Sequence, residues 1–115
     1  MPSDCVFCKI AAGEAVGRII YQDELATAFW DIRPVAPIHI LIVPNKHIDS
    51  VNEMSTEDEA LIGHLILVAK KIAREQGVAE AGYRLSINTG PNAGQSVQHI
   101  HVHLLAGKAL PIHLG

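Results

Sequence analysis

Three of the seven histidines fall at His99, His101 and His103, alternating with Ile100, Val102 and Leu104. Successive side chains on a β-strand point to opposite faces, so this spacing lines three imidazoles along one face and three aliphatic side chains along the other. Such a row suits three readings. The histidines can be partly buried, hydrogen-bonded residues with no further role. Spaced H-x-H, they can hold zinc once a third and fourth ligand converge. Alternatively, one neutral imidazole can attack phosphorus while its neighbours set its tautomer and handle protons. The turn just upstream favours this last chemistry. In Asn92-Ala93-Gly94-Gln95-Ser96 the glycine permits close backbone approach, and the N–H groups and the serine hydroxyl can bind phosphate oxygens beside a nucleophile. A second chemical pair, Cys5 and Cys8, is spaced C-x-x-C. Two cysteines make no disulfide framework, and in a reducing compartment this spacing more often means metal or redox chemistry.

The elements that must position these groups are legible as patterns. Residues 18–22 and 25–31 are apolar, β-branched or aromatic runs on either side of Asp23-Glu24, which predicts a hairpin. After Pro34 and Pro37, the run IHILIVP over 38–44 reads as a strand buried on both faces, with His39 its single polar intrusion. Ser55, Thr56, Glu57 and Asp58 resemble a helix start with a capping serine and an acidic first turn, and Gly77 offers a stop, which predicts one long helix from about Glu57 to Gln76. Its stripe of Leu61, Ile62, Leu65, Ile66, Val68, Ala69, Ile72 and Ala73 is wider than one sheet contact needs. Two explanations fit that width: a deeply buried helix, or one that also packs against a partner subunit. YRLSINT over 83–89 and the histidine run then flank the loop GPNAGQS. Strands, one helix, then two strands form an α+β pattern.

Composition limits what such a fold can be. With 115 residues the chain suits a single domain over 1–115. Hydrophobic residues at 49%, charged residues at 18% and a net charge of −3 suit a folded globular protein. Lys and Arg are scattered, so nucleic acid is not an expected partner. The N-terminal stretch has no signal-peptide pattern, and no apolar run approaches the roughly 18 residues that cross a bilayer, so no membrane is expected and the cytoplasm is the default compartment.

The run His-Ile-His-Val-His-Leu-Leu resembles the His-φ-His-φ-His-φ-φ signature of the histidine triad (HIT) family. The likeness extends through AFWDIRPVAPIHILIVPNKHI and NTGPNAGQSV to nearly the whole chain, and is nearest to the Hint branch of nucleoside phosphoramidate hydrolases. It implies an α+β fold with an antiparallel sheet, one long helix and a short N-terminal helix. It also implies a homodimer that binds purine nucleoside 5′-monophosphates and cleaves a P–N bond at the α-phosphorus. By the same resemblance His101 corresponds to the nucleophile that forms a covalent nucleotidyl-histidine. His103 corresponds to a phosphate-contacting neighbour, and His39 to a fourth histidine behind the site. Ser96 and the amides of Gln95 to Val97, with Gly94 in the same turn, match positions that hold the phosphate and help the departing amine. Asn88 matches a further phosphate-side contact, and Asp31 the carboxylate that accepts from the ribose hydroxyls. Phe7, Ile10, Phe29 and Ile32 match the apolar slot for the base.

No metal is required for that chemistry, since a neutral imidazole is already nucleophilic and the amine needs only a proton as it leaves. In some HIT proteins and related transferases, however, residues matching Cys5, Cys8, His47 and His99 hold a structural zinc, a plausible tetrahedral Cys2His2 set. Those transferases carry glutamine where this chain has His103, which favours hydrolysis here by family analogy. The tail KALPIHLG departs from the pattern, with Ile112 near a position where animal members often have tryptophan, and His113 reads as a solvated terminal residue. Two alternatives stand beside the phosphoramidase: a dinucleoside polyphosphate hydrolase built on the same triad, and a nucleotide- or zinc-binding interaction module with vestigial activity.

Overall fold

The computed structural model describes residues 4–112. In chain order they form a short helix α1 (Val6–Ala11), strands β1 (Ile19–Gln22), β2 (Ala26–Trp30) and β3 (Ile38–Pro44), a long helix α2 (Glu59–Glu75), and strands β4 (Tyr83–Ser86) and β5 (Val102–Ala106). The strands make one antiparallel sheet in the order β1-β2-β3-β5-β4. This is the expected α+β class, with β3 at the centre and β1 and β4 at the edges.

Both faces of β3 are covered, which is why it reads as an almost unbroken apolar run. Ile40 and Ile42 face α2, whose buried Leu65, Val68, Ala69, Ile72 and Ala73 recur at the i, i+3, i+4, i+7, i+8 spacing of one helix face. Val102 and Leu104 of β5 complete that core. The opposite face carries a smaller cluster, in which Leu41 and Val43 of β3 and Phe29 of β2 pack against Phe7 and Ile10 of α1. His39 and Leu41 alternate with Ile40 and so share this second face, where Leu41 pairs with His103 in the ladder. The large core therefore makes the sheet rigid, and the small one holds the histidines.

The predicted helix begins with a short 3-10 turn over Thr56–Asp58. Ser55 and Asp58 form a capping box, and the Asp58 carboxylate accepts from the Ser55 N–H at 2.9 Å and from the Lys46 ammonium at 2.7 Å. Gly77 takes the left-handed φ of +75° that ends the helix. Two strand boundaries differ from expectation. β4 stops at Ser86 rather than Thr89, and β5 begins at Val102 rather than His99. The reason lies in where the backbone of residues 99–101 is drawn. The Ile100 N–H donates to the Ile48 carbonyl at 2.7 Å, and the His99 ring donates to the Pro44 carbonyl at 2.8 Å. These bonds pull the chain toward the end of β3 and out of the β4 ladder. Among the described residues no helix is long and apolar enough to cross a membrane.

Asp23 ties the predicted hairpin to the helix. Its carboxylate accepts from the Tyr21 hydroxyl at 2.6 Å, from His64 of α2 at 2.7 Å, and from the Leu25 and Ala26 N–H groups at 2.8 Å each. Burial works against the charge, but the Tyr21, backbone and His64 bonds outweigh it and hold the carboxyl well below the usual carboxylate range. Asp23→Ala is expected to cost about 2 kcal/mol in urea unfolding at pH 7, because four donors lose their acceptor at once. The folded pKa is depressed, so this stabilisation is complete above the unfolded value of about 4 and fades as pH falls below it. The parent should therefore lose stability faster than Asp23→Asn on acidification below pH 4. Parallel curves for the two would contradict the assignment.

Candidate active site

The three histidines end up on the face opposite α2, as their alternation predicts, although only His103 lies in the regular strand. The His101 ring stands between that of Phe7, 5.1 Å away between centroids, and that of His103 at 4.8 Å. His101 is almost fully buried and its Nδ1 lies 2.8 Å from the His99 carbonyl oxygen. A carbonyl only accepts, so Nδ1 carries the proton and the Nε2 lone pair is free. The group with the right electronic character for attack is thus set by a backbone carbonyl two residues earlier.

His39 and His103 form a chain with the opposite sense. The Val35 N–H donates to His39 Nδ1 at 3.2 Å, which places the proton of the neutral ring on Nε2. That Nε2–H lies 2.9 Å from His103 Nδ1 and 3.3 Å from a carboxylate oxygen of Asp31. Accepting at Nδ1 leaves His103 with its proton on Nε2. Burial pushes the pKa of His39 down against the pull of Asp31, and burial together with the neighbouring His101 and His39 pushes His103 down to about 4. Both rings therefore stay neutral near pH 7. Asp31, His39 and His103 come within metal-coordinating range of one another. Because the Val35 N–H donates to Nδ1, the neutral His39 ring carries its proton on Nε2 and offers no lone pair there, so the geometry is that of a hydrogen-bond relay.

The glycine-rich loop is shaped by its own residues. Gly90 and Gly94 take φ of +82° and +77° around a short turn over Pro91–Ala93. Gln95 acts as its strap: the side chain accepts from the Gly90 N–H at 3.0 Å and donates to the Asp49 carbonyl at 2.6 Å and the Val97 carbonyl at 3.0 Å. This modifies the expectation that the Gln95 amide faces phosphate, because its N–H already donates to the Gly90 carbonyl at 3.1 Å. The N–H groups of Ser96 and Val97 have no backbone acceptor among the described residues and remain available for an anion. Val97 packs against the small apolar cluster, which brings this end of the loop to the histidine face.

The remaining expected ligand contacts fall in two environments. Phe7, Ile10 and Phe29 are buried in the small core, with the Phe7 and Phe29 rings edge to face at 5.3 Å. Ile32 is 89% exposed and Ile112 is 96% exposed, so both are open to a ligand or a second chain. Asn88 is half-buried just beyond β4. Asp31 turns one oxygen to the Arg33 N–H at 2.7 Å and the other toward His39. His113 lies outside the described residues.

Cys5, Cys8, His47 and His99 converge although they are far apart in the chain. Cys5 Sγ caps the first turn of α1 by accepting from the Cys8 N–H at 3.4 Å. His99 Nδ1 lies 3.3 Å from Cys5 Sγ and 3.5 Å from Cys8 Sγ, and His47 Nδ1 lies 3.3 Å from Cys8 Sγ. Each imidazole has its other nitrogen fixed by oxygen: His99 Nε2 by the Pro44 carbonyl and His47 Nε2 by Asp49 at 2.6 Å. Both Nδ1 lone pairs therefore point at sulfur, the second-layer arrangement that orients histidines for a metal. Burial, then the hydrogen bond and charge of Cys5, push the Cys8 thiol up to about 11. A dication is the group that reverses such a cost by binding thiolate. The donor set fits zinc. The sequence alone offered no sign of the supporting groups, Pro44 O, Asp49 and the Val35 N–H. Two of these are backbone atoms, and the third could have been suspected only from a carboxylate two residues after His47.

Comparison with known proteins agrees with this geometry. The family model described as HIT domain matches residues 12–110. The purine nucleoside phosphoramidase of Escherichia coli (strain K12) is 52% identical over 110 residues, which cover 96% of this chain and 92% of that protein. The HIT family hydrolase from Legionella pneumophila Philadelphia 1 superimposes with a TM-score of 0.95 at 44% identity, covering 97% of this chain and 100% of that one. A histidine triad protein from Clostridium difficile gives 0.94 at 45% identity, with 96% of each chain covered. The histidine row on the sheet face opposite α2, the match over residues 12–110 and a relative 52% identical along almost its whole length lead to one conclusion: the chain belongs to the HIT family.

Proposed function

We propose that the protein hydrolyses purine nucleoside 5′-phosphoramidates, of the AMP-NH2 and AMP-lysine type, by cleaving the P–N bond at the α-phosphorus. The observation that carries this reading is the pair of opposite tautomers: His101 offers a lone pair at Nε2, and His103 beside it offers an N–H. His101 Nε2 attacks phosphorus, the P–N bond breaks, and the leaving nitrogen takes a proton as it departs as amine. The Ser96 hydroxyl and the His103 Nε2–H are the donors for that proton and for the phosphate oxygens, with the Ser96 and Val97 N–H groups adding fixed dipoles. Water then attacks the nucleotidyl-imidazole and returns one proton to the group that protonated the amine, releasing nucleoside monophosphate and restoring the His101 lone pair. The net reaction is phosphoramidate plus water to monophosphate plus amine. Asp31 accepts the ribose hydroxyls, Asn88 adds a phosphate-side contact, and the edges of Phe7, Ile10 and Phe29 with the open side chain of Ile32 take the base.

Cys5, Cys8, His47 and His99 hold a structural zinc in this reading. When bound, that ion neutralises two thiolates and clamps α1 to the chain leading into β5. The catalytic steps need no cofactor. The active species is a homodimer, supported by the open edge of β4 and by Ile66 and Leu67 on α2, which are 39% and 63% exposed. The free thiols of Cys5 and Cys8 fit the cytoplasm.

Purified protein given adenosine 5′-phosphoramidate is expected to release AMP with EDTA present, and to act more slowly on diadenosine polyphosphates. AMP binding without turnover would replace this reading with a binding module. Faster cleavage of the dinucleotide would make the protein a polyphosphate hydrolase.

A further inference from the structure

We propose that the backbone N–H of Val35 is a positioning donor that decides which histidine attacks, by setting the proton on both imidazoles between itself and the substrate. Only the consequence for turnover rests on the hydrolase reading; the placement of the protons does not.

Val35 lies in the connection between β2 and β3, and the residue is 64% exposed. What the position contributes inward is its N–H, aimed at His39 Nδ1. Pro34 and Pro37 flank it, and each fixes its own φ near −65°, which stiffens the segment that presents the donor. The alternative tautomer of His39 fails at two of its three contacts, although a proton moved to His103 Nδ1 could still satisfy the third. A proton on Nδ1 would set two donors against each other across 3.2 Å. A lone pair on Nε2 would face the Asp31 carboxylate at 3.3 Å. The chosen tautomer satisfies the same contacts and gives its Nε2–H to His103 Nδ1. His103 is then obliged to carry its own proton on Nε2, at the far side of the ring.

The adjacent His101 is set independently, by the His99 carbonyl, in the opposite sense. With ring centroids 4.8 Å apart, the two imidazoles present one lone pair and one donor. Without the Val35 donor only the Asp31 contact would hold His39 in that tautomer, and a larger share of His103 would carry its proton on Nδ1 and direct a lone pair at the phosphate. Two nucleophiles would then compete, and the phosphate oxygens would lose a hydrogen bond.

Imidazole 15N NMR of the whole protein at neutral pH reads these protons directly. His39 and His103 are expected as Nε2–H tautomers and His101 as Nδ1–H. Val35→Pro removes the N–H; Val35→Ala retains it and is expected to retain the parent tautomers. In Val35→Pro the His39 signal should shift toward Nδ1–H, and kcat should fall by about a hundredfold with little change in KM. A folded Val35→Pro protein with parent tautomers would overturn the proposal. If that variant does not fold, the parent spectrum decides, since an Nδ1–H tautomer at His39 or His103 would also overturn it. Expected tautomers in a parent that turns nothing over would instead count against the hydrolase reading alone.

Discussion

His101→Ala is expected to lower kcat by about 10⁴-fold or more, equivalent to more than about 5 kcal/mol of barrier, while AMP affinity stays within severalfold of the parent. The size follows from the absence of a substitute. In the proposed reaction, among the described histidines facing the site, His101 is the one that offers a lone pair, because the relay turns His103 into a donor and both Nδ1 lone pairs of His47 and His99 face sulfur. Direct attack by water would lose both the covalent intermediate and the positioned nucleophile. The proposed binding groups come from other elements: Asp31 follows β2, and Ser96 and Val97 lie in the loop before β5. Single-turnover kinetics with calorimetric AMP binding separates the two effects. Turnover within tenfold of the parent would sink the assignment of His101, and joint loss of turnover and binding would point to a distorted site.

Removing the proposed zinc is expected to have the second largest effect, on stability. One equivalent should copurify when chelator is omitted, and its removal should lower the melting temperature by about 15 °C. A ligand present at about a thousand times its dissociation constant stabilises the native state by about 4 kcal/mol, and for a domain of this size each kcal/mol moves the midpoint by about 4 °C. The effect is large because the four donors come from three distant segments: α1, the end of β3 and the approach to β5. Cys8→Ser should abolish binding and melt at the chelated parent's temperature. Less than a tenth of an equivalent of zinc, with one melting curve in the presence and absence of chelator, would refute the site.

Much of this molecule was legible in its sequence because the signals are local. A continuous apolar run over 38–44, strict alternation over 99–104 and a helical period over 61–73 identify strands and a helix whatever the rest of the chain does. The hairpin at Asp23, the helix stop at Gly77 and the histidine row on one face follow from such patterns alone, and the family resemblance supplied the roles. Tertiary packing decided what those patterns could not. It ended β4 at Ser86 and delayed β5 to Val102, because the Ile100 N–H bonds to residue 48 and the His99 ring to residue 44. It turned Gln95 inward as a strap, and it left the N–H groups of Ser96 and Val97 without a backbone acceptor among the described residues. Above all it assigned the protons. Which imidazole nitrogen carries hydrogen depends on the group facing it, and here the deciding groups are the Val35 N–H and the His99 carbonyl. Such backbone atoms occur at nearly every residue and leave no mark in a sequence, so three similar histidines acquire different chemistry only where the fold brings each one its partner.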